Sequence, residues 1–239
     1  MDKKVILTIF TPTYNRVHTL PRTYESLCRQ SCKDFIWLIV DDGSQDHTAQ
    51  LVEQWRQQEN GFEIQYIYKQ NGGMHTAHNT AYEHITTELN TCIDSDDKLA
   101  PGAVEKILKK WDQVRGGGYA GIIGLDADFN GNIIGKGFPP GITETSVIGY
   151  YAAGGSGDKK LVYRTDVIRK YPPYPVFPGE KYVDMLGVDV YEFDNSDANY
   201  QQNLAATLDV LMEAAKKVGK IPALTETGCR GISSKKDWF

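Results

Sequence analysis

The chain has 239 residues, a formal charge of −5 and an apolar fraction of 41%. That length holds one large α/β domain, or one domain with a small appendage, and the apolar content supports a real core. The acidic balance, with a pI of about 5.6, speaks against general nucleic-acid or membrane-surface binding, which favours basic patches. An anionic nucleotide remains a compatible ligand, because a metal ion supplies positive charge locally.

Val5–Thr11 reads as a buried strand ending in a Thr-Pro turn. Leu20–Gln30 follows as an amphipathic helix, with Pro21 tolerated near its start. Phe35–Asp41 is a second strand, Thr48–Glu59 a helix with Ser44, Asp46 and Thr48 as candidate caps, and Glu63–Lys69 a third strand. Gly72-Gly73 opens a turn into a helix over about His75–Thr86. Glu88–Ile93 is a fourth strand and Pro101–Trp111 the next helix. This alternation predicts a mostly parallel, Rossmann-like sheet with helices on both faces.

From about Gly116 the texture changes. Ala120–Asp126 is a strand, and Asp128–Gly141 is turn-rich, with a hairpin centred on Asn130-Gly131-Asn132. Gly154–Asp158 is a glycine-rich link. Lys160–Arg169 is a strand leading into a short helix, followed by proline punctuation from Pro172 to Pro178. The last 57 residues (183–239) return to clean β/α order. Met185–Tyr191 and Ile221–Thr225 are strands there, Asn199–Val218 is a helix, and Gly219 is its cap.

No apolar run reaches the ~18 residues of a membrane helix, and Val5–Phe10 is too short for a secretory core. The expectation is a cytoplasmic chain with no integral membrane segment in this sequence, with attachment to membranes left open through its acceptor, a partner or a missing segment. Cys28 and Cys32 stand four apart on a helix like half a metal site, but no second Cys/His pair completes it, so they read as plain buried thiols.

The chemistry gathers at strand ends. Asp41-Asp42-Gly43-Ser44-Gln45-Asp46 follows the second strand, and Asp94-Ser95-Asp96-Asp97 follows the fourth. In an open α/β sheet that edge is where ligands bind. Acidic groups there can hydrogen-bond a nucleoside or hold a divalent cation against a diphosphate, a task needing only one or two protein carboxylates. Tyr14, in the turn begun by Pro12, is a candidate ring to stack on a base. Asp42 is a candidate acceptor for the imino hydrogen of a uracil-like base. Asp41 and Asp46 suit turn and cap chemistry better. Asp96 and Asp97 can divide between ribose and cation. Gly72-Gly73 permits close backbone approach to a ligand. The pattern is not a phosphate-binding loop of the Walker kind, since the Gly-Lys-Ser/Thr ending is absent. His75 and His78 read as residues lining or covering their helix.

With Thr11–Arg16, Asp41–Asp46, Asn71-Gly72-Gly73 with Asn79, and Asp94–Asp97 in this order, residues 1–182 resemble a family 2 glycosyltransferase of the GT-A fold. The resemblance implies a nucleotide-binding half (1–115), an acceptor-side half (116–182), a nucleotide-diphosphate sugar donor, usually a uridine nucleotide, and Mn2+ or Mg2+. It carries Pro12, Tyr14, Asp42, Gly73 and Asn79 to the nucleotide, Asp96 to the ribose and Asp97 to the metal. Glu180 stands where inverting members carry their acidic base. A saccharide or lipid-linked saccharide is the implied acceptor. The Gln-x-x-Arg-Trp motif of processive members is absent, which favours single-sugar transfer. The tail, 183–239, is similar instead to part of the (β/α)8 barrel of family 26 β-mannanases, and the resemblance maps their nucleophile to Glu226. Retaining hydrolysis requires two carboxyls roughly 5–5.5 Å apart, and the barrel half that would supply the second is absent, so Glu226 reads as an orphan and the chain as a fusion. Two further readings stand beside the transferase: a mannan-directed hydrolase fragment, and a nucleotide-sugar-binding module without turnover.

Overall fold

The computed structural model describes residues 4–128, 130–170 and 173, and the backbone of strands 185–191 and 221–228. The chain divides into two compact units, Met1–Pro175 and Val176–Phe239.

In the first unit, every residue of β1 (Leu7–Thr13) is buried, and β2 (Phe35–Asp41) is nearly so. Continuous burial is what a strand requires when helices cover both faces of its sheet. Side chains alternate between those faces. Leu7 and Ile9 of β1 and Phe35, Trp37 and Ile39 of β2 pack beneath α1 (Leu20–Cys28), α2 (Thr48–Arg56) and α4 (Ala103–Val114). Phe10, Leu38 and Val40 point the other way, onto Ala77 and Ala81 of α3 (Met74–His84). Small residues at 77 and 81, one helical turn apart, let α3 lie close to the sheet. Each large apolar side chain so buried contributes roughly 1.5–3 kcal/mol. Trp37 also satisfies its indole N–H on Thr11 Oγ1 at 3.0 Å inside the core. Tyr24 of α1 stacks on Trp55 of α2, with ring centroids 4.3 Å apart.

With β3 (Glu63–Tyr68), β4 (Leu89–Cys92), β5 (Gly121–Leu125) and β6 (Lys159–Arg164), the sheet has six strands in the order β3-β2-β1-β4-β6-β5. The first four are parallel. β6 runs antiparallel to β4, and β5 antiparallel to β6. The mostly parallel architecture expected from the sequence is present, and the reversal at β6 is a feature that strand propensity did not reveal.

Between β5 and β6 the chain builds a small layer. Its turn at Asn130-Gly131-Asn132 is closed by an antiparallel bridge between Ala127 and Ile133, and Asp128 accepts the Asn130 and Asn132 amides at 2.9 Å. Helix α5 (Val147–Ala152), unforeseen from the sequence, brings in Tyr150, which is 1% exposed. The Tyr150 hydroxyl donates to Lys136 O at 2.7 Å and accepts the Ser156 N–H at 3.2 Å. Gly155 lies flat against the ring, where a Cβ would come within 2.3 Å. The stretch read as a glycine-rich link is therefore packed structure built on Tyr150. A single helical turn, α6 (Thr165–Ile168), follows β6.

In the second unit, β7 (Met185–Tyr191) and β8 (Ile221–Gly228) pair in parallel, from Met185↔Ile221 onward, with a shift that sets Asp189 opposite Glu226. Parallel neighbours require a crossover. The helix expected at Asn199–Val218 to provide it lies outside the described residues.

Candidate active site

The chain lays down β1, β2 and β3 in one direction across the sheet, then returns to place β4 on the other side of β1. The strand order therefore reverses between β1 and β4, and the crevice beyond the carboxyl ends of these strands is where such sheets bind ligands. The motif after β1, the acidic turn after β2 and the acidic turn after β4 all open on that edge.

On the β2 side, Asp41 and Asp42 part company. Asp41 is fully buried and structural: its carboxylate accepts the Ser44 N–H at 2.7 Å and the Tyr66 hydroxyl at 2.6 Å. Burial and that carboxylate push the Tyr66 hydroxyl well above its usual range. Asp42 is 3% exposed and faces the loop before α3. One oxygen, Oδ1, takes the Lys69 ammonium at 2.5 Å and the Gly72 N–H at 3.1 Å, and the other, Oδ2, takes the Gly73 N–H at 2.7 Å. Lys69 spends its other two hydrogens on Gln70 O and Thr76 Oγ1, both at 2.7 Å. The Gly72 N–H is shared with Oδ2, at 3.3 Å, so of the carboxylate's about four lone-pair sites the one a ligand would take is the site this long contact fills. Lys69 escaped the sequence reading because a lysine ending a strand looks like ordinary solvated surface.

Two glycines make this approach possible. Gly43 has φ +87°, and a Cβ on it would lie 2.8 Å from the Asn71 nitrogen. Gly73, at φ +90°, is the N-cap of α3. Across from them, the β1 turn is stitched to the β2 turn. The Asn15 N–H donates to Ser44 Oγ at 2.9 Å, the Gln45 N–H to Asn15 Oδ1 at 2.8 Å, and the Val17 N–H to Asp46 Oδ2 at 3.1 Å. Asn15 adopts φ +54°, a left-handed conformation that asparagine tolerates. Burial alone would raise the Asp46 carboxyl; hydrogen bonds from Thr48 and Val17 outweigh it and hold the group below its ordinary value. Pro12 is buried within β1, Tyr14 beside it is 45% exposed, and Asn79 is half-buried on α3.

On the β4 side, the acidic turn is held by a polar stripe on α1. Thr23, Ser26 and Gln30, all buried, lie at helical spacing on its inner face or just past its end. Thr23 Oγ1 donates to Asp97 O at 2.8 Å, Ser26 Oγ accepts the Leu99 N–H at 3.0 Å, and Gln30 Nε2 donates to Ala100 O at 3.0 Å. Arg22 reaches Asp96 O, and Arg16 lies 3.9 Å from the Asp96 carboxylate. The backbone of the turn is thus fixed while its carboxylates stay exposed. Desolvation against the sheet raises the Asp97 carboxyl above its usual value, Lys160 opposes the rise, and the charges of Asp94, Asp96 and Asp126 add to it. Crowded hard oxygen donors of this kind suit a divalent cation. Among the described residues no three His, Cys, Asp or Glu side chains converge as a cage.

His78 packs edge-on against Phe10, ring centroids 5.1 Å apart, and its Nε2 lies 3.8 Å from Cys92 Sγ. Burial lowers its pKa, with Asp94 opposing. It belongs to the packing of α3, as expected. Cys28 and Cys32 are free thiols. Glu180 lies outside the described residues, and Glu226 is on β8 of the second unit.

A family model described as Glycosyl transferase family 2 matches residues 8–167. Among solved structures, the chain is similar to S. aureus TarS 1-349, with a TM-score of 0.54 at 22% identity over 69% of this chain and 48% of that one. The same protein in complex with UDP-GlcNAc gives 0.53 at 20% identity, over 69% and 47% of the two chains. The mannosyltransferase PcManGT from Pyrobaculum calidifontis, in complex with GDP-Man and Mn2+, gives 0.52 at 15% identity, over 72% and 48%. The chain spans about half the length of these relatives. The likenesses bear out the GT-A architecture of the first unit, and they give no support to a β-mannanase origin for the tail. No helix among the described residues is long and apolar enough to cross a membrane. With two-thirds of its length inside the family's match, this chain belongs to glycosyl transferase family 2.

Proposed function

We propose that this chain transfers a sugar from a nucleotide-diphosphate donor, with uridine the favoured nucleoside, to a saccharide or lipid-linked saccharide acceptor. The observation that carries the proposal is the pairing across β1 of two pre-set acidic elements: Asp42, oriented by Lys69 and the Gly72 and Gly73 amides, and the Asp94–Asp97 turn, fixed by α1. The first suits a base and the second a diphosphate. In this reading Tyr14 stacks on the base, where such contacts are worth roughly 1–3 kcal/mol, and the Asp42 carboxylate accepts its imino hydrogen. Pro12, Gly73 and Asn79 shape the nucleoside pocket, and Asp96 meets the ribose. Asp97 holds Mn2+ or Mg2+, which when bound neutralises charge building on the departing diphosphate. Glu180 takes the proton of the acceptor hydroxyl in an inverting displacement. That role requires approach to about 2.6–3.2 Å, directly or through one water. Glu226 has no part in the transfer.

Calorimetry with UDP, GDP and UMP, with and without Mn2+, tests the reading. UDP should bind in a Mn2+-dependent manner and more tightly than GDP, and Asp97→Asn should abolish the Mn2+ dependence while the fold persists by circular dichroism. Metal-independent, base-indifferent binding in the wild type would overturn it. Acceptor-dependent release of UDP from UDP-sugars, measured over a panel of saccharide acceptors, then separates a transferase from a binding module: Glu180→Gln should retain UDP affinity and lose transfer.

A further inference from the structure

The site edge carries a cation that the sequence motifs did not include. β6 begins beside the end of β4, because the two run antiparallel with Thr91 opposite Val162. That register sets Lys160, two residues before Val162, at the mouth of the acidic turn. Its ammonium donates to Cys92 O, the last residue of β4, at 3.2 Å. An ammonium has three N–H groups; among the described residues, this carbonyl takes the only one of Lys160 that is bonded. Lys69 is the contrast: its three are taken by Asp42, Gln70 and Thr76. Arg16 and Arg22 are engaged with Asp96. Lys160 is half-buried, and its charge is near enough to oppose the rise of the Asp97 carboxyl. A lysine anchored by one backbone carbonyl beside a set of hard anions is positioned to meet a further anion that arrives there.

Resting on the proposed donor site, we infer that Lys160 is a diphosphate-binding residue, its ammonium contacting a non-bridging oxygen of the nucleotide from the side of the sheet opposite Asp42. It supplies fixed positive charge where the leaving group becomes more negative, and it lessens repulsion between the acidic turn and the donor before a cation is added. The strand reversal at β6 then has a functional consequence, because a parallel β6 would put the start of that strand at the far edge of the sheet.

The test compares uridine, UMP and UDP by calorimetry in Mn2+ for the wild type, K160M and K160R. K160M should lose about tenfold or more in UDP affinity with uridine affinity unchanged, and K160R should stay within about threefold of wild type for UDP. Equal losses for uridine and UDP would make Lys160 a structural tie to Cys92 O and overturn the inference, as would unchanged UDP affinity in K160M. If K160M does not fold, K160R and K160Q decide: the inference requires K160Q to lose UDP affinity selectively while K160R keeps it. Wild-type protein that binds no UDP at all overturns the donor-site reading itself, which separates the two failures.

Discussion

The latch around Asp42 makes a quantitative prediction about asymmetry. Asp42→Ala removes the acceptor for two backbone amides and for the Lys69 ammonium at once. Removing one partner of a buried charge pair costs about 3–5 kcal/mol. Lys69's side chain is 21% exposed, so its ammonium can turn toward water, and the low end, about 3 kcal/mol, applies. Lys69→Met leaves the carboxylate the Gly72 and Gly73 amides, at the loss of one charge-assisted bond worth about 1.5 kcal/mol. At about 2–4 °C per kcal/mol for a chain of this size, Asp42→Ala should lower Tm by about 6–12 °C and Lys69→Met by about half as much. Urea midpoints of both single variants and the double variant form a cycle. The double should be less destabilised than the sum by at least about 1 kcal/mol, since Lys69 has no carboxylate to lose once Asp42 is gone. Additive losses, or a larger cost for Lys69→Met, would refute the latch.

Gly43→Ala should destabilise by about 2 kcal/mol, because the left-handed backbone is strained for alanine and its Cβ would sit 2.8 Å from the Asn71 nitrogen. A urea midpoint within error of wild type would show that the two loops do not need this approach. Asp46 predicts a pH dependence. Its folded pKa lies below the unfolded value of about 3.9, so its contribution is fully present above that value and is lost as pH falls through the folded one. Asp46→Asn should therefore be less stable than wild type near pH 6, with the gap closing toward pH 3; a gap that stays constant over this range would exclude the ionised carboxylate as the acceptor for Thr48 and Val17.

The buried parallel strands were legible in the residues because continuous apolar runs such as Phe35–Val40 can be buried on both faces only in a covered sheet. The two acidic turns were legible because carboxylates directly after such runs are placed at the sheet edge by strand geometry alone. The division of labour between Asp41 and Asp42 was partly legible: Asp41 reads as turn chemistry, and the structure shows its carboxylate taking the Ser44 amide. What escaped was whatever depends on chain segments far apart in sequence. Thr23, Ser26 and Gln30 look like an ordinary helix surface, yet burial against residues 94–104 turns them into the clamp of the acidic turn. Tyr150 looks like one aromatic among many in a turn-rich stretch, yet its hydroxyl and ring organise the layer between β5 and β6. Lys69 and Lys160 carry no local signal, since a lysine at a strand end is indistinguishable from solvated surface until a partner is brought to it. The sequence by itself determined the parallel core and the placing of carboxylates at its edge, because strand periodicity and turn chemistry act over a few residues. Only the tertiary structure decided the direction of β6, the latch on Asp42 and the cation beside Asp97, because strand pairing and charge pairing are contacts between segments whose distance along the chain encodes nothing about their distance in space.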